Sequence, residues 1–198
     1  IFYFAFGEIV NLQQLSVPRT FLGGTSLPNQ GLILFAGGLN NNNIPTNAVD
    51  IYNVKNNSWT TSVLSVAREY VSATSLPNLG LAFFAGGSII PSLQLLILTN
   101  AVDIFNAIGN YWTTAQLSTL SSGLTATSLH EQGLVFFAGG LARFIDGPET
   151  NVKNVDIYNL NSNSWSTAHL SQGRYEVAAT SLNTKGLAFF AGGAFLPN

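Results

Sequence analysis

The strongest constraint on this chain is that it repeats itself. Gly31–Gly38 reads GLILFAGG, Gly80–Gly87 and Gly186–Gly193 both read GLAFFAGG, and Gly133–Gly140 reads GLVFFAGG. Thr-Ser-Leu precedes each copy, at Thr25, Thr74, Thr127 and Thr180. A second block follows three of them, VDIYN from Val49, VDIFN from Val102 and VDIYN from Val155, and Trp59, Trp112 and Trp165 lie nine residues after each Asp. The double glycines are 49, 53 and 53 residues apart (37 to 86, 86 to 139, 139 to 192), while each Trp stands 27 residues before the next pair. All variation in length therefore falls between the double glycine and the VDIY block. A constant frame with one variable loop per unit is the mark of a repeat array with one adaptable face.

Each unit predicts four short strands. The first, Glu69–Leu76 in one copy, ends at the turn Pro77-Asn78-Leu79-Gly80. The second, LAFFA, is too short for a helix between its glycines and apolar on both faces, which predicts an innermost strand. The third, VDIYN, is β-branched and aromatic, and a turn rich in Asn and Gly (KNNS, AIGN, NSNS) leads to a fourth strand at the Trp. Charged residues are only 8% of the chain, against about 25% in an ordinary soluble domain. Asn, Ser, Thr and exposed backbone must do the solvating, which suits strands and polar turns better than charged helices. No helix is predicted.

Four strands in about 50 residues, a double glycine closing the second, Tyr or Phe in the third and Trp in the fourth: this pattern resembles the kelch repeat, over about residues 15–193. The resemblance implies an all-β fold, a β-propeller of four-stranded blades. It is one domain over 1–198, with units at about 17–65, 66–118, 119–171 and 172–198. Ile1-Phe2-Tyr3 aligns with Asp50-Ile51-Tyr52, and Val10 with Trp59, so the first 16 residues or so read as degenerate third and fourth strands that complete the last unit. Two arrangements stay open, a closed four-bladed ring and part of a larger one. The absence of Met and the missing Trp in the closing half-unit tip the expectation toward a fragment.

Composition narrows the function. A net charge of −2 gives no electrostatic reason to expect nucleic acid or an anionic membrane as partner. No run approaches the roughly 18 apolar residues of a membrane span. With no Cys, disulfides, thiolate metal sites and a Cys nucleophile are excluded, and so is the copper-radical chemistry of kelch galactose oxidases, which needs a Cys cross-linked to Tyr. His130 and His169 stand alone, so no metal or other cofactor is expected. The expectation is a non-catalytic binding scaffold with a protein partner. The alternative is a secreted carbohydrate-binding or sugar isomerase-like protein, with a glycan ligand and Glu69, Glu176, Asp146 and Glu149 as its available carboxylates. The sequon Asn56-Asn57-Ser58 is compatible with secretion.

The variable segments 39–48, 88–101 and 141–154 share one face with the connections between units. There the kelch resemblance implies a pocket rim made of the arginine nine residues after the Trp position and the residue after each double glycine. These are Arg19, Arg68 and Arg174, with Ser121 in the remaining unit, and Leu39, Ser88, Leu141 and Ala194. A physical alternative stands beside it: each arginine can bond loop carbonyls of its own unit or pair with a carboxylate such as Glu69 or Glu176. The stretch Ile89–Leu98 is apolar for an exposed connection. Its Ile89, Ile90, Leu95 and Leu96 are expected to dock a partner, or else merely to lengthen the flanking strands. The run Asn40–Asn43 reads as a solvated low-complexity loop.

Overall fold

The computed structural model describes residues 2–5, 8–11, 14–91, 96–143 and 148–196. The chain opens with a hairpin, β1 (Phe2–Ala5) and β2 (Glu8–Asn11). The first unit contains β3 (Arg19–Thr20), β4 (Gly23–Leu27), β5 (Leu32–Ala36), β6 (Leu39–Asn40), β7 (Ala48–Asn53) and β8 (Ser58–Val63). The second contains β9 (Ser72–Leu76), β10 (Leu81–Ala85), β11 (Ser88–Pro91), β12 (Leu96–Leu98), β13 (Ala101–Asn106) and β14 (Tyr111–Gln116). The third contains β15 (Thr125–Leu129), β16 (Leu134–Ala138), β17 (Leu141–Arg143), β18 (Glu149–Asn151), β19 (Asn154–Asn159) and β20 (Ser164–His169), and the last β21 (Ala178–Leu182) and β22 (Leu187–Ala191).

The fold is all-β. Three antiparallel sheets of four strands run β4-β5-β7-β8, β9-β10-β13-β14 and β15-β16-β19-β20, followed by the two-stranded β21-β22. Short ribbons β3-β6, β11-β12 and β17-β18 extend the ends of the sheets. Among the described residues no helix is long and apolar enough to cross a membrane.

Local chemistry accounts for the strands. In each complete sheet the Tyr or Phe of the third strand lies directly opposite the Trp of the fourth, as Tyr52↔Trp59, Phe105↔Trp112 and Tyr158↔Trp165. The ring centroids are 5.0, 5.0 and 5.2 Å apart, a cross-strand aromatic pair that locks the register. The intervening turn is set by the last residue of the third strand. The side chains of Asn53, Asn106 and Asn159 accept from the amides of Lys55, Ile108 and Asn161, at 2.9, 3.0 and 2.9 Å, which are Asx turns. In the N-terminal hairpin Tyr3 pairs with Val10, the same register as Tyr52 and Trp59. Among the described residues that hairpin forms a two-stranded sheet of its own.

LAFFA takes the second place in its sheet, not the innermost one. The edge turned toward the neighbours is the first strand, and β4, β9, β15 and β21 lie side by side in chain order. Serines of the Thr-Ser-Leu motif tie them together: Ser75 Oγ donates to Ser26 O at 2.8 Å and Ser128 Oγ to Ser75 O at 2.7 Å. A small residue with a hydroxyl suits a place where two backbones approach this closely. The second strand is apolar on both faces because each face meets another sheet. Leu27, Leu34, Val49 and Ile51 pack with Ala82, Phe84 and Phe105 between the first and second sheets. Leu76, Phe83 and Val102 pack with Val135, Phe137 and Tyr158 between the second and third.

Candidate functional site

The arginines and the third-strand aspartates meet. Arg19 Nη1 stands 2.7 Å from Asp50 Oδ2, and Arg68 Nη1 2.7 Å from Asp103 Oδ2, with all four side chains essentially sealed from solvent. Both contacts are close, buried ion pairs. The other oxygen of each carboxylate accepts a backbone amide of the preceding connection, Ser16 N at 3.0 Å and Ser65 N at 2.8 Å. Other donors of each guanidinium go to carbonyls, while Arg68 Nε is buried without a hydrogen-bond partner among the described residues. Arg19 donates to Gly37, Val17 and Phe35, and Arg68 to Val66 and Phe84. Burial pulls the Arg68 guanidinium below its ordinary pKa, with Asp103 opposing the shift. The sequence suggested Glu69 or Glu176 as pairing partners; the invariant Asp of the VDIY block takes that role, and turns these two guanidinium groups into the sheets.

The third unit lacks the cation. Ser121 replaces it and its Oγ donates to Gly139 O at 3.0 Å, the carbonyl equivalent to the Gly37 O bound by Arg19. Asp156 still accepts Ser118 N at 3.0 Å. Arg174 shows the converse: it donates to Gly192 O, Gly193 O and the Gln172 side chain at 3.3, 3.4 and 3.0 Å, with no carboxylate paired to it among the described residues.

The residue after each double glycine bridges the residue after the arginine position. Leu39 pairs with Thr20, Ser88 with Glu69, Leu141 with Ser122 and Ala194 with Tyr175. Ser88 is buried, Leu39 and Leu141 half-buried and Ala194 exposed. In the second unit Ile89 and Ile90 lie on β11 and Leu96 on β12, whose ladder shifts register between Ser88 and Ile90; the connection thus forms a ribbon of its own. Leu95 lies outside the described residues, as does Asp146.

Two residues beyond each arginine position stands a set the repeat analysis passed over: Phe21, Tyr70, Gly123 and Glu176. All four hold positive φ, at 54°, 53°, 65° and 53°. With Leu22, Val71 and Leu124 they line one depression of about 220 Å³ where the four repeats converge. The Phe21 and Tyr70 rings stack at 4.3 Å and 22°, with 47% and 41% of each residue exposed. Backbone bonds join the positions in pairs, Tyr70 N to Phe21 O at 2.8 Å and Glu176 N to Gly123 O at 2.9 Å. The field here is negative. The Tyr70 hydroxyl is raised above its ordinary pKa by burial and then by the charges of Glu69 and Glu176, and burial raises the Glu69 carboxyl itself. An aromatic platform beside the exposed Glu176 carboxylate is suited to a cation, or to the apolar face and hydroxyls of a sugar; Glu69 is buried and does not line the depression. The signal in the sequence is four chemically unlike residues at one fixed place in a constant frame.

A second concavity, about 560 Å³, opens on the same loop face, between Pro148–Asn151, Gln172–Gly173 and Phe195–Leu196. Among the described residues no three His, Asp or Glu side chains converge as metal ligands do. No protein-family model matches the chain, and no curated protein matches it.

Proposed function

We propose that this chain is a kelch-type β-propeller module that acts as a non-catalytic binding scaffold. Its sheets would be the blades, and its loop face would bind a protein partner whose cationic side chain enters the depression between Phe21, Tyr70 and Glu176. The observation that carries the reading is the ring of four equivalent positions. Three of them hold bulky or charged residues in a backbone conformation that favours glycine, and such strain concentrates where a side chain must be aimed. The stacked rings and the Glu176 carboxylate supply cation–π and charge attraction. The kelch assignment rests on the fourfold motif and on the strand order within each sheet; the blade number is part of the proposal.

The test uses N-acetyl-argininamide as probe, followed by backbone NMR of the whole chain. The expected result is a saturable shift of the Phe21, Tyr70 and Glu176 amides in the millimolar range, abolished by Glu176→Gln. Shifts of the same amides by neutral disaccharides instead would move the assignment to a carbohydrate-binding site, the reading that the stacked rings would then serve. If neither probe moves these amides, the depression is not a binding site and the proposal fails.

A further inference from the structure

The third unit, whose four strands are all present, keeps the acid of the buried pair without the base. In the first two units one fixed set of oxygens holds the guanidinium group. It consists of the third-strand Asp, the carbonyl two residues before the arginine and the carbonyl of the second-strand Phe. The third unit retains this set. Asp156 lies opposite Phe137 as Asp50 lies opposite Phe35 and Asp103 opposite Phe84. Asp156 Oδ1 accepts Ser118 N at 3.0 Å, as Asp50 accepts Ser16 N at 3.0 Å and Asp103 accepts Ser65 N at 2.8 Å. Gly139 N donates to Asn154 O at 3.0 Å, the same length as Gly37 N to Ala48 O and Gly86 N to Ala101 O. The backbone, not the arginine, keeps the cage in place.

What occupies the cage has changed. Ser121 takes over one contact of the arginine, the one to Gly139 O. The surrounding positions have turned polar: Thr119 stands where the other units have Val17 and Val66, and Asn154 where they have Ala48 and Ala101. Asn154 Nδ2 donates to Ser118 Oγ and Thr119 Oγ1 at 3.0 and 2.8 Å. None of these replacements brings a positive charge. Asp156 is nevertheless buried, and among the described residues its carboxylate has no partner besides Ser118 N. A buried carboxylate is strongly unfavourable unless a cation faces it. Asp156 is 6% exposed against 2% for Asp50 and Asp103, which makes it the least sealed of the three. We propose that the third unit binds one monovalent cation of the size of K+ in place of the guanidinium. The Asp156 carboxylate and the carbonyls of Thr119 and Phe137 would hold it. Two observations choose the ion. One carboxylate among neutral oxygens balances a single positive charge, as it does for Arg19 and Arg68. The equivalent oxygens stand 2.7, 3.0 and 3.1 Å from the guanidinium nitrogens of those units, wider than the roughly 2.3–2.6 Å of Ca2+ or the roughly 2.0–2.1 Å of Mg2+. The inference is independent of the depression lined by Phe21, Tyr70 and Glu176.

The probe is KCl, compared with LiCl at constant ionic strength in thermal melts of the full chain, with hydrogen exchange locating the site. The expected result is a saturable rise in Tm of about 2–4 °C in potassium. The amide of Ser118, bonded to the other oxygen of Asp156, should exchange more slowly at the same concentrations. Asp156→Asn should remove both effects. Ser121→Arg should remove the rise as well, because its guanidinium would fill the cage, and its Tm in LiCl should reach or exceed that of the unaltered chain in KCl. Equal melts in the two salts overturn the proposal. So does a rise that survives either variant, since the ion would then act elsewhere. Should Ser121→Arg fail to fold, Asp156→Asn decides alone, as it preserves the shape of the side chain.

Discussion

The paired and unpaired aspartates make a controlled experiment inside one molecule. Asp103→Asn keeps the shape of the side chain and an oxygen for Ser65 N–H, and removes only the charge opposite Arg68. Asp156→Asn makes the same change where Ser121 stands instead of arginine. In the second unit both side chains are sealed, at 0% and 3% exposure, so solvent screening gives little relief. With charge centres about 4 Å apart and an effective dielectric of about 20, the lost attraction is about 4 kcal/mol. That agrees with the roughly 3–5 kcal/mol found when one partner of a buried pair is removed. In the third unit the backbone bond survives and no cation is stranded, so the loss should stay below about 1 kcal/mol. Urea unfolding followed by Trp fluorescence measures both, with the midpoint shift read at an unchanged slope. Equal losses for the two variants would refute the reasoning, because the Arg68–Asp103 pair would then contribute nothing that Asp156 lacks.

Two other substitutions test the site more directly. Burial raises the Glu69 carboxyl above its unfolded value, so the stability tied to its protonated form is fully present below the ordinary glutamate pKa and lost as pH rises through the raised one. Glu69→Gln should therefore be more stable than the unaltered chain at pH 7 and converge with it in acid, as thermal melts at pH 4 and pH 7 will tell; a less stable variant at pH 7 contradicts the assignment. Glu176→Gly should raise stability by about 1 kcal/mol through relief of a left-handed backbone while removing the response to N-acetyl-argininamide, and a loss of stability would show that the Glu176 backbone is not strained.

The frame was legible because it is written several times. The strands, the Asn turns and the aromatic pairs all recur at fixed spacing, and each has a local cause that period and composition reveal. The position of LAFFA was not. A strand apolar on both faces is buried on both faces, but that holds equally for the second and the first place in a sheet, and the small Thr-Ser-Leu strand gave no apolar signal of its inward position. The partner of Arg68 was hidden for a related reason. Asp103 lies 35 residues on, beyond any local pattern, and its invariance made it look like frame instead of partner. The three arginines, alike in sequence, then divide by surroundings: Arg19 and Arg68 are paired with aspartates inside the sheets, and Arg174 donates to Gly192, Gly193 and Gln172.

The same contrast separates scaffold from site. At the position two residues past each arginine, the backbone conformation is constant and the chemistry is not. Gly123 occupies it without strain, while Phe21, Tyr70 and Glu176 accept φ near 53° at a cost of about 1 kcal/mol or more apiece. Stacking between Phe21 and Tyr70 offsets part of this, by about 0.5–1.5 kcal/mol, so those two have a structural reason to be large. Glu176 has none of that kind. It is exposed, and among the described residues its carboxylate forms no ion pair. Its charge helps to raise the pKa of Tyr70. A strained, unpaired acid beside an aromatic platform, where the frame is content with glycine, is the feature on which the proposed binding site rests, and Glu176→Gln is the variant that tests it.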